Sequence, residues 1–392
     1  MTEYNFFAPT RVLFGAGSLS KLHSQSLPGK KALLVISNGK SASANGSLAR
    51  TEEELTAAGC EYVVFNKIAA NPVKEAVEEG AKAARENGCD FVVALGGGSV
   101  MDAAKNIAML AAQPSDDLWD YTFGGTGGRK LPENEPLAWI AITTSAGTGS
   151  EVDQAGVITN LKTKEKIGVG GLDSMFAKIA IVDPELMKTV PPKFTAYQGF
   201  DALFHSLEGY ISCIHNPMGD MVQRAAIENI GKYLPRAVAD GNDMEAREAV
   251  AFANTMSGYS MVVTGCTSEH SMEHAMSAYH PELPHGAGLI MISLEYFRFW
   301  IDKHVCDDRF VDMARFLGAK DAEKPEDFID ALAALEKACK VDDLKMSDYG
   351  IRKEDSMILA KNARENMKRL FRNDPAPSTD EDIAKIFERS FR

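Results

Sequence analysis

The chain lacks the features that mark nucleic-acid-binding, secreted and membrane proteins. Its 392 residues carry a net charge of −13 without a basic run, which argues against nucleic acid or an anionic membrane as a partner. The six cysteines are widely spaced and form no C-x-x-C pair, which favours a reducing compartment. No apolar run could span a bilayer, and the first residues lack the basic and apolar regions of a secretory signal. We therefore expect a cytoplasmic protein.

The first half of the chain alternates short apolar runs with amphipathic segments. This alternation predicts a parallel, doubly wound sheet with helices on its faces, as in Rossmann-like domains. A valine-rich segment with a polar middle, residues 152–171, is typical of a hairpin. The predicted strands are 11–15, 31–37, 61–66, 90–95, 138–144 and 179–183, and the predicted helices are 51–59, 73–88 and 100–112.

The second half is predicted to be entirely helical. Pro191 and Pro192 interrupt regular structure, and strand-like runs end there. We therefore expect an α/β dinucleotide-binding domain at residues 1–192 and an all-α metal-binding domain at residues 193–392, with a ligand in the cleft between them. The last helix is predicted to begin with a capping box formed by Ser378 and Glu381.

Two loops of small residues follow predicted strands. Residues 96–99 (GGGS) end one strand and open a helix, where glycine permits close approach of a phosphate and the helix N-terminus offers free N–H groups. The turn fits neither G-x-G-x-x-G nor G-x-x-x-x-G-K-[ST], and an ordinary strand–helix turn is the commoner origin of such a motif. A second small-residue loop at residues 143–151 follows another buried strand. The two loops together favour a bound nucleotide.

Histidine is scarce but clustered. Four of the eight histidines lie between residues 270 and 285: His270, His274, His280 and His285. His270 and His274 are four residues apart, as are Asp201 and His205, so each pair shares one helix face. A polar surface is the commoner explanation of one such pair. One carboxylate with several imidazoles also suits iron or zinc, and these two pairs compete with His285 for about four coordination positions.

In order and spacing, the motifs resemble those of the iron-containing (group III) alcohol dehydrogenases. The matching segments are GGGSxxDxAK (96–105), TSAGTGSE (144–151), GxDAxxHxxE (199–208) and HxxxHxxxxxxxxxxH (270–285). The resemblance covers essentially the whole chain. It implies a dehydroquinate-synthase-like fold and interconversion of alcohols with aldehydes or ketones, dependent on NAD(P)(H) and one divalent metal.

The resemblance also implies individual roles for the clustered residues. The implied ligands of Fe²⁺, or alternatively Zn²⁺, are Asp201, His205, His270 and His285. His274 corresponds to a histidine beside the nicotinamide, where it would be catalytic as a proton relay. The loop before His285 is longer than the family pattern, which leaves His280 as its competitor; otherwise His280, which precedes Pro281, is expected in a loop.

Cofactor contacts are implied in the same way. They are Gly97, Gly98 and Ser99 at the pyrophosphate, Asp102 close behind, and Asn71, Thr144, Thr148, Lys166 and His274. Members selective for NAD often carry Asp where this chain has Ser37, which is followed by Asn38, Gly39 and Lys40. Since Lys40 could attract a 2′-phosphate, we expect Ser37 to contact NADP(H) in preference to NAD(H). The alternative is that Lys40 simply points into solvent.

The expected function is hydride transfer between NAD(P)(H) and a small alcohol, diol or aldehyde. The alternatives are a glycerol-dehydrogenase-like polyol oxidoreductase, a lyase resembling dehydroquinate synthase, and a non-catalytic metal- or nucleotide-binding protein. We expect a homodimer, the commonest assembly of soluble proteins.

Overall fold

The computed structural model describes residues 3–392, which form a sheet-containing half followed by a helical half. The strands are β1 (Arg11–Phe14), β2 (Lys31–Ser37), β3 (Glu61–Ile68), β4 (Phe91–Gly96), β5 (Ala138–Thr143), β6 (Ala155–Asn160), β7 (Glu165–Gly170) and β8 (Ile179–Val182). The helices of the first half are α1 (Ser41–Ala44), α2 (Ser47–Ala57), α3 (Lys74–Glu86) and α4 (Gly98–Ala111). The helices of the second half are α5 (Pro192–Ile211), α6 (Pro217–Ala239), α7 (Met244–Val263), α8 (Ser268–Tyr279), α9 (His285–Asp302), α10 (Asp307–Phe316), α11 (Glu326–Ala338), α12 (Ser356–Asn366), α13 (Lys368–Phe371) and α14 (Asp380–Ser390).

Six parallel strands form the main sheet in the order β1-β8-β5-β4-β2-β3. The central strands β2 and β4 are continuous apolar runs because both faces of a parallel sheet are covered. Strands β4 and β5 are neighbours and end together, with Gly96 opposite Thr143. This register brings the two predicted small-residue loops to the same edge of the sheet. The antiparallel pair β6 and β7 forms the predicted hairpin, and the expected Rossmann-like α/β architecture is confirmed.

The second half is all-helical, as expected. Helix α5 begins at Pro192, since the fixed φ of proline suits the first helical position and its missing N–H costs nothing there. Nearly every side chain of α5 from Thr195 onward is buried, because α6, α7 and α9 pack around it. A polar residue on α5 is therefore held in the protein interior. The domain boundary between residues 192 and 193 stays a prediction.

The predicted starts of two helices, α14 and α2, were at the wrong residues. The capping box of α14 is formed by Thr379 and Asp382, not by Ser378 and Glu381: the Thr379 hydroxyl accepts from Asp382 N at 3.2 Å. Helix α2 begins at Ser47, four residues before the expected start. Propensity and composition place such helices well but leave their ends uncertain by a few residues, because capping geometry decides them.

Within residues 3–392, no helix combines the length and the apolar character needed to cross a bilayer.

Candidate functional site: a buried histidine–carboxylate cluster

Asp201 is the centre of a buried cluster of imidazoles. It lies on α5 one turn before His205, and the i, i+4 spacing puts Asp201 Oδ1 3.7 Å from His205 Nδ1. From α8 and α9, His270 Nε2 and His285 Nε2 each approach the same Asp201 oxygen to 3.4 Å. The rings of His205 and His270 stack with centroids 4.2 Å apart. The structure therefore brings together all four side chains that were predicted to bind metal.

The start of α9 places His285 in this cluster. Pro284 ends the preceding loop in an extended conformation, and His285 is the first residue of the helix. A Cβ on Gly286 would lie 2.1 Å from the carbonyl oxygen of Tyr197 on α5, so only glycine permits this approach of the two helices. His280 instead ends α8 and accepts a hydrogen bond from Leu283 N at 2.9 Å through its backbone. Among the described residues it belongs to none of the groups that could hold a metal.

Two buried carboxylates that were not predicted as functional pair with the Nδ1 atoms of two histidine rings, on the side away from Asp201. Glu208 pairs with His270 Nδ1, and Glu273 pairs with His285 Nδ1. Such contacts leave Nε2 of each ring facing Asp201 and fix the ring orientation, as outer carboxylates do for metal-binding histidines. Glu208 closes the GxDAxxHxxE motif, three residues after His205, so that spacing was an available signal. Glu273 gave no signal beyond its place between His270 and His274.

Electrostatics in the cluster suit a cation. Burial opposes the ionisation of Asp201, but His205, His285 and His270 hold its pKa well below the ordinary value. Burial, helped by the neighbouring His270, lowers the pKa of His205 to about 3, so its imidazole is neutral and can offer a lone pair. The Sγ of Cys266 also lies within 4.8 Å of ligand atoms of His205 and His270. One carboxylate and three imidazoles that converge on one point fit a divalent first-row metal.

His274 occupies a different position from the other histidines. Its ring centroid lies 5.4 Å from that of His285 and 6.3 Å from that of His270. Its Nδ1 is buried and has no hydrogen-bond partner among residues 3–392. Burial first, and then the charge of Lys166, hold its pKa well below the ordinary value. A neutral imidazole with an unused nitrogen is able to exchange a proton with a bound molecule.

The two small-residue loops meet at the carboxyl edge of the sheet. Gly97 precedes the first turn of α4, and Thr144 N donates to Gly96 O at 3.0 Å. A Cβ on Gly98 would lie 2.2 Å from Thr148 Cγ2, so the turn and the second loop pack without side-chain space between them. Both threonines and Ser99 remain partly exposed beside the free N–H groups of α4. This edge is a suitable cradle for a pyrophosphate.

Ser37 and Asp102 differ in what their side chains can still bind. Ser37 ends β2, the neighbour of β4, and is partly exposed near the same edge, followed by the exposed Lys40. Asp102 is buried, and its two carboxylate oxygens accept from Ser150 Oγ at 2.6 Å and Val157 N at 2.8 Å. Burial, together with nearby Asp153, raises the pKa of Asp102 to about 6 against the opposing effect of Lys105. Its contact with cofactor stays a prediction, whereas its contacts with the loop and the hairpin are observed.

Asn71 and Lys166 lie together at the junction of the two halves. Lys166 Nζ donates to Asn71 Oδ1 at 3.1 Å, and Asn71 Nδ2 donates to the carbonyls of Pro281 at 3.0 Å and Leu283 at 3.3 Å. Lys166 also donates to Glu273 Oε2 at 3.2 Å. These two predicted cofactor contacts are therefore connected to the loop before His285 and to a carboxylate of the histidine cluster.

Comparison with known proteins agrees with this arrangement over the whole chain. The family model of iron-containing alcohol dehydrogenase matches residues 9–184, and the model of the C-terminal region of the Fe-containing alcohol dehydrogenase family matches residues 195–391. The chain is 32% identical to 1,3-propanediol dehydrogenase of Citrobacter freundii over 99% of this chain and 97% of that protein. It is also 32% identical to NAD-dependent methanol dehydrogenase of Bacillus methanolicus, over 98% of this chain and 99% of that protein.

Solved structures give the same result. An archaeal halo-thermophilic alcohol dehydrogenase from a Red Sea brine pool superposes with a TM-score of 0.94 at 34% identity, covering 100% of both chains. A 1,3-propanediol oxidoreductase superposes with a TM-score of 0.89 at 30% identity, covering 99% of this chain and 100% of that one. The expected dehydroquinate-synthase-like fold and dehydrogenase function are thereby confirmed. The chain belongs to the iron-containing alcohol dehydrogenase family and is a metal-dependent alcohol dehydrogenase.

Proposed function

We propose that Asp201, His205, His270 and His285 hold one divalent metal, Fe²⁺ in preference to Zn²⁺, in an enzyme that interconverts small alcohols or diols with aldehydes. The observation that carries the proposal is the approach of two histidine Nε2 atoms to one Asp201 oxygen at 3.4 Å. When bound, the ion supplies Lewis-acid polarisation of the substrate oxygen and the dinucleotide supplies the hydride chemistry. The residues of the chain bind, orient and exclude water around these groups.

His274 is proposed to move a proton between the substrate oxygen and water. Its buried Nδ1 lacks a partner within the described chain, and its ring adjoins that of His285 without sharing Asp201. A His274→Ala variant should keep its metal and lose the pH dependence that the relay gives to kcat/KM. A variant with stoichiometric metal and an unchanged pH–rate profile would remove this role.

The cofactor is proposed to lie along the carboxyl edge of the sheet, with its pyrophosphate at Gly97, Gly98 and Ser99. Ser37 replaces the carboxylate that would repel a 2′-phosphate, so NADP(H) is proposed in preference to NAD(H), although several relatives are named for NAD or NADH. Ser37→Asp should lower the ratio of kcat/KM for NADPH to that for NADH. A wild-type enzyme that already prefers NADH, or an unchanged ratio in the variant, would contradict the preference.

One steady-state screen tests metal, cofactor and substrate class together. Enzyme stripped of metal would be reloaded with Fe²⁺ or Zn²⁺ and assayed with primary alcohols, diols and their aldehydes, using both dinucleotides. We expect turnover only in the reloaded samples, with Fe²⁺ giving the larger kcat. Equal turnover in stripped enzyme would exclude the metal proposal, and faster turnover with Zn²⁺ would exclude the preference for iron.

Assembly and compartment are proposed on general grounds. A homodimer is the commonest closed assembly, and light scattering of the purified protein would measure its mass. The six cysteines are unpaired, which is typical of a reducing cytoplasm, and cell fractionation tests that assignment.

A further inference from the structure

Glu273 occupies the interface between the histidine cluster and the sheet-containing half. It lies on α8, is fully buried, and pairs with His285 Nδ1. The same carboxylate oxygen, Oε2, also accepts from Lys166 Nζ at 3.2 Å. A buried carboxylate with two cationic or donor partners is positioned by both of them, and it positions them in turn.

Lys166 carries this connection into the hairpin. It lies on β7, is buried, and donates to Asn71 Oδ1 at 3.1 Å and Ser277 Oγ at 2.8 Å as well as to Glu273. An ammonium group has three protons, one for each of these acceptors, so a cofactor that contacts Lys166 would take the place of one of them. The orientation of Lys166 is therefore fixed by Glu273 on one side and by Asn71 on the other.

Asn71 completes the chain of contacts by holding the loop before His285. Its backbone has a φ of 50°, in the left-handed region that asparagine tolerates better than most residues. Its amide donates to the carbonyls of Pro281 and Leu283, just before Pro284 and His285. Lys166 of the hairpin is therefore connected to His285 in two ways. Glu273 connects it to the His285 ring, and Asn71 connects it to the loop before His285.

We propose that Glu273 is a positioning residue that couples the metal site to the cofactor side, through His285 in one direction and Lys166 in the other. The proposal rests on the proposed roles of His285 as a metal ligand and Lys166 as a cofactor contact. Because coupling between two binding equilibria is reciprocal, bound cofactor tightens metal binding by the same factor by which bound metal tightens cofactor binding.

The decisive experiment measures how metal affinity changes when Lys166, which does not contact the proposed metal ligands, is substituted. Zn²⁺ affinity of stripped protein would be determined by competition with a chromophoric chelator, and NADPH and NADH affinity by fluorescence titration. Lys166→Met should weaken Zn²⁺ binding because Glu273 loses its anchor. Glu273→Ala should weaken it by about 10–100-fold, the range for groups that orient metal-binding histidines, and should also weaken cofactor binding.

Glu208→Ala is the matched control. Glu208 supports His270 as Glu273 supports His285, but its other hydrogen bonds, from Thr267 and from the backbone N–H of His270, stay within the helical half. It should therefore weaken Zn²⁺ binding while leaving cofactor affinity unchanged. Glu273→Gln keeps an acceptor for the His285 ring without the negative charge, so it should restore part of the Zn²⁺ affinity lost in Glu273→Ala.

A folding defect is separated from coupling by a second variant. Glu273→Ala leaves the buried Lys166 without its anionic partner, whereas the double variant Lys166→Met with Glu273→Met removes both charges together. The double variant should unfold at a temperature close to that of the wild type and still bind Zn²⁺ about 10–100-fold more weakly. The metal losses of the two single variants should be less than additive.

Two outcomes overturn the coupling. One is wild-type Zn²⁺ affinity in folded Lys166→Met or in the double variant. The other is a cofactor loss in Glu208→Ala equal to that in Glu273→Ala. A separate result, stoichiometric metal in Asp201→Ala, would instead remove the proposed metal site itself.

Discussion

The two carboxylate–histidine pairs of the cluster look alike but are anchored differently. Glu208 and Glu273 each hold the Nδ1 of a histidine whose Nε2 lies 3.4 Å from Asp201 Oδ1. Glu208 otherwise accepts from Thr267 N and Oγ1, both at 2.8 Å, and from His270 N at 3.5 Å, all at the N-terminus of α8. Glu273 is otherwise bonded to Lys166 of the hairpin. One pair is internal to the helical half, and the other joins the two halves.

This difference indicates two separate tasks: one pair holds a metal-binding histidine rigidly, and the other connects a metal-binding histidine to the sheet-containing half. The Glu208 pair fixes the start of the helix that carries His270, and a carboxylate at a helix N-terminus is also favoured by the helix dipole. The Glu273 pair places a second histidine while contacting the half to which we propose that the cofactor binds. Similar chemistry on two histidines can therefore serve rigidity in one case and communication in the other.

Substitution of Asp201 should cause the largest loss of metal affinity, because both carboxylate–histidine pairs converge on this residue. Asp201→Ala should reduce metal affinity by more than the about 10–100-fold expected for either outer carboxylate, and activity should fall with it. Metal content measured on the purified variant, with circular dichroism to verify folding, provides the test. A loss no larger than that of Glu208→Ala would show that the two pairs do not share a centre.

Glu208→Ala should destabilise the metal-free protein more than the double variant of the Glu273 pair does. The substitution leaves the buried N–H of Thr267 without its acceptor, at a cost of about 1–3 kcal/mol, whereas the Thr267 hydroxyl keeps its hydrogen bond with the Tyr296 hydroxyl at 2.8 Å. Urea unfolding of stripped protein would measure the free energy of unfolding. Equal stabilities would mean that Glu208 does not anchor α8.

A third buried glutamate, Glu336, shows how neighbouring charges change the pKa of a buried carboxyl. Burial would raise the pKa of Glu273, but His285 and Lys166 lower it below the ordinary value. Glu336 is bonded to the Ser293 hydroxyl at 3.1 Å, and burial raises its pKa to about 7. The pKa of the same residue type thus shifts in opposite directions: His285 and Lys166 outweigh burial at Glu273, whereas Arg392 only partly offsets burial at Glu336.

Glu336 should therefore make the protein less stable as pH rises from about 4.5 to about 7, since in this range the folded state holds a proton that the unfolded state has released. Its contribution is fully present below the unfolded pKa and is lost as pH passes through the folded pKa. Glu336→Gln should flatten the pH dependence of the unfolding free energy by up to about 1.4 kcal/mol per pH unit. An unchanged slope in urea unfolding across this range would contradict the assignment.

The smallest effect on stability is expected from substitutions at the start of α14, far from both carboxylate–histidine pairs. Thr379→Ala removes the hydroxyl that accepts from Asp382 N at the start of α14, and should cost about 1 kcal/mol of stability without changing metal affinity. Ser378→Ala should cost less, because Ser378 is outside the capping box. Thermal unfolding of the two variants would compare them directly, and a larger loss in Ser378→Ala would restore the original capping prediction.

Local patterns predicted much of the fold and part of the site. The alternation of apolar runs and amphipathic segments predicted the parallel sheet, because its strands are buried on both faces and the helices that cover it are buried on one. The i, i+4 spacing of Asp201 with His205, and of His270 with His274, was equally visible. Helix ends were less predictable: the capping box lies one residue beyond the expected one, since Ser378 and Thr379 are both good caps.

Secondary-structure periods and i, i+4 pairs are local properties of the chain, so the sequence by itself determined the α/β and all-helical halves and a set of competing candidate ligands. The choice of Asp201, His205, His270 and His285 among these candidates came from the family resemblance. Only the tertiary structure showed that His285 rather than His280 lies beside Asp201, that the ring of His274 adjoins that of His285, and that Glu208 and Glu273 support different rings. Glu273 and His285 are 12 positions apart in the chain, and Glu208 and His270 are 62 positions apart. Packing of α8 and α9 against α5 and the hairpin creates these contacts, and no period in the sequence encodes that packing.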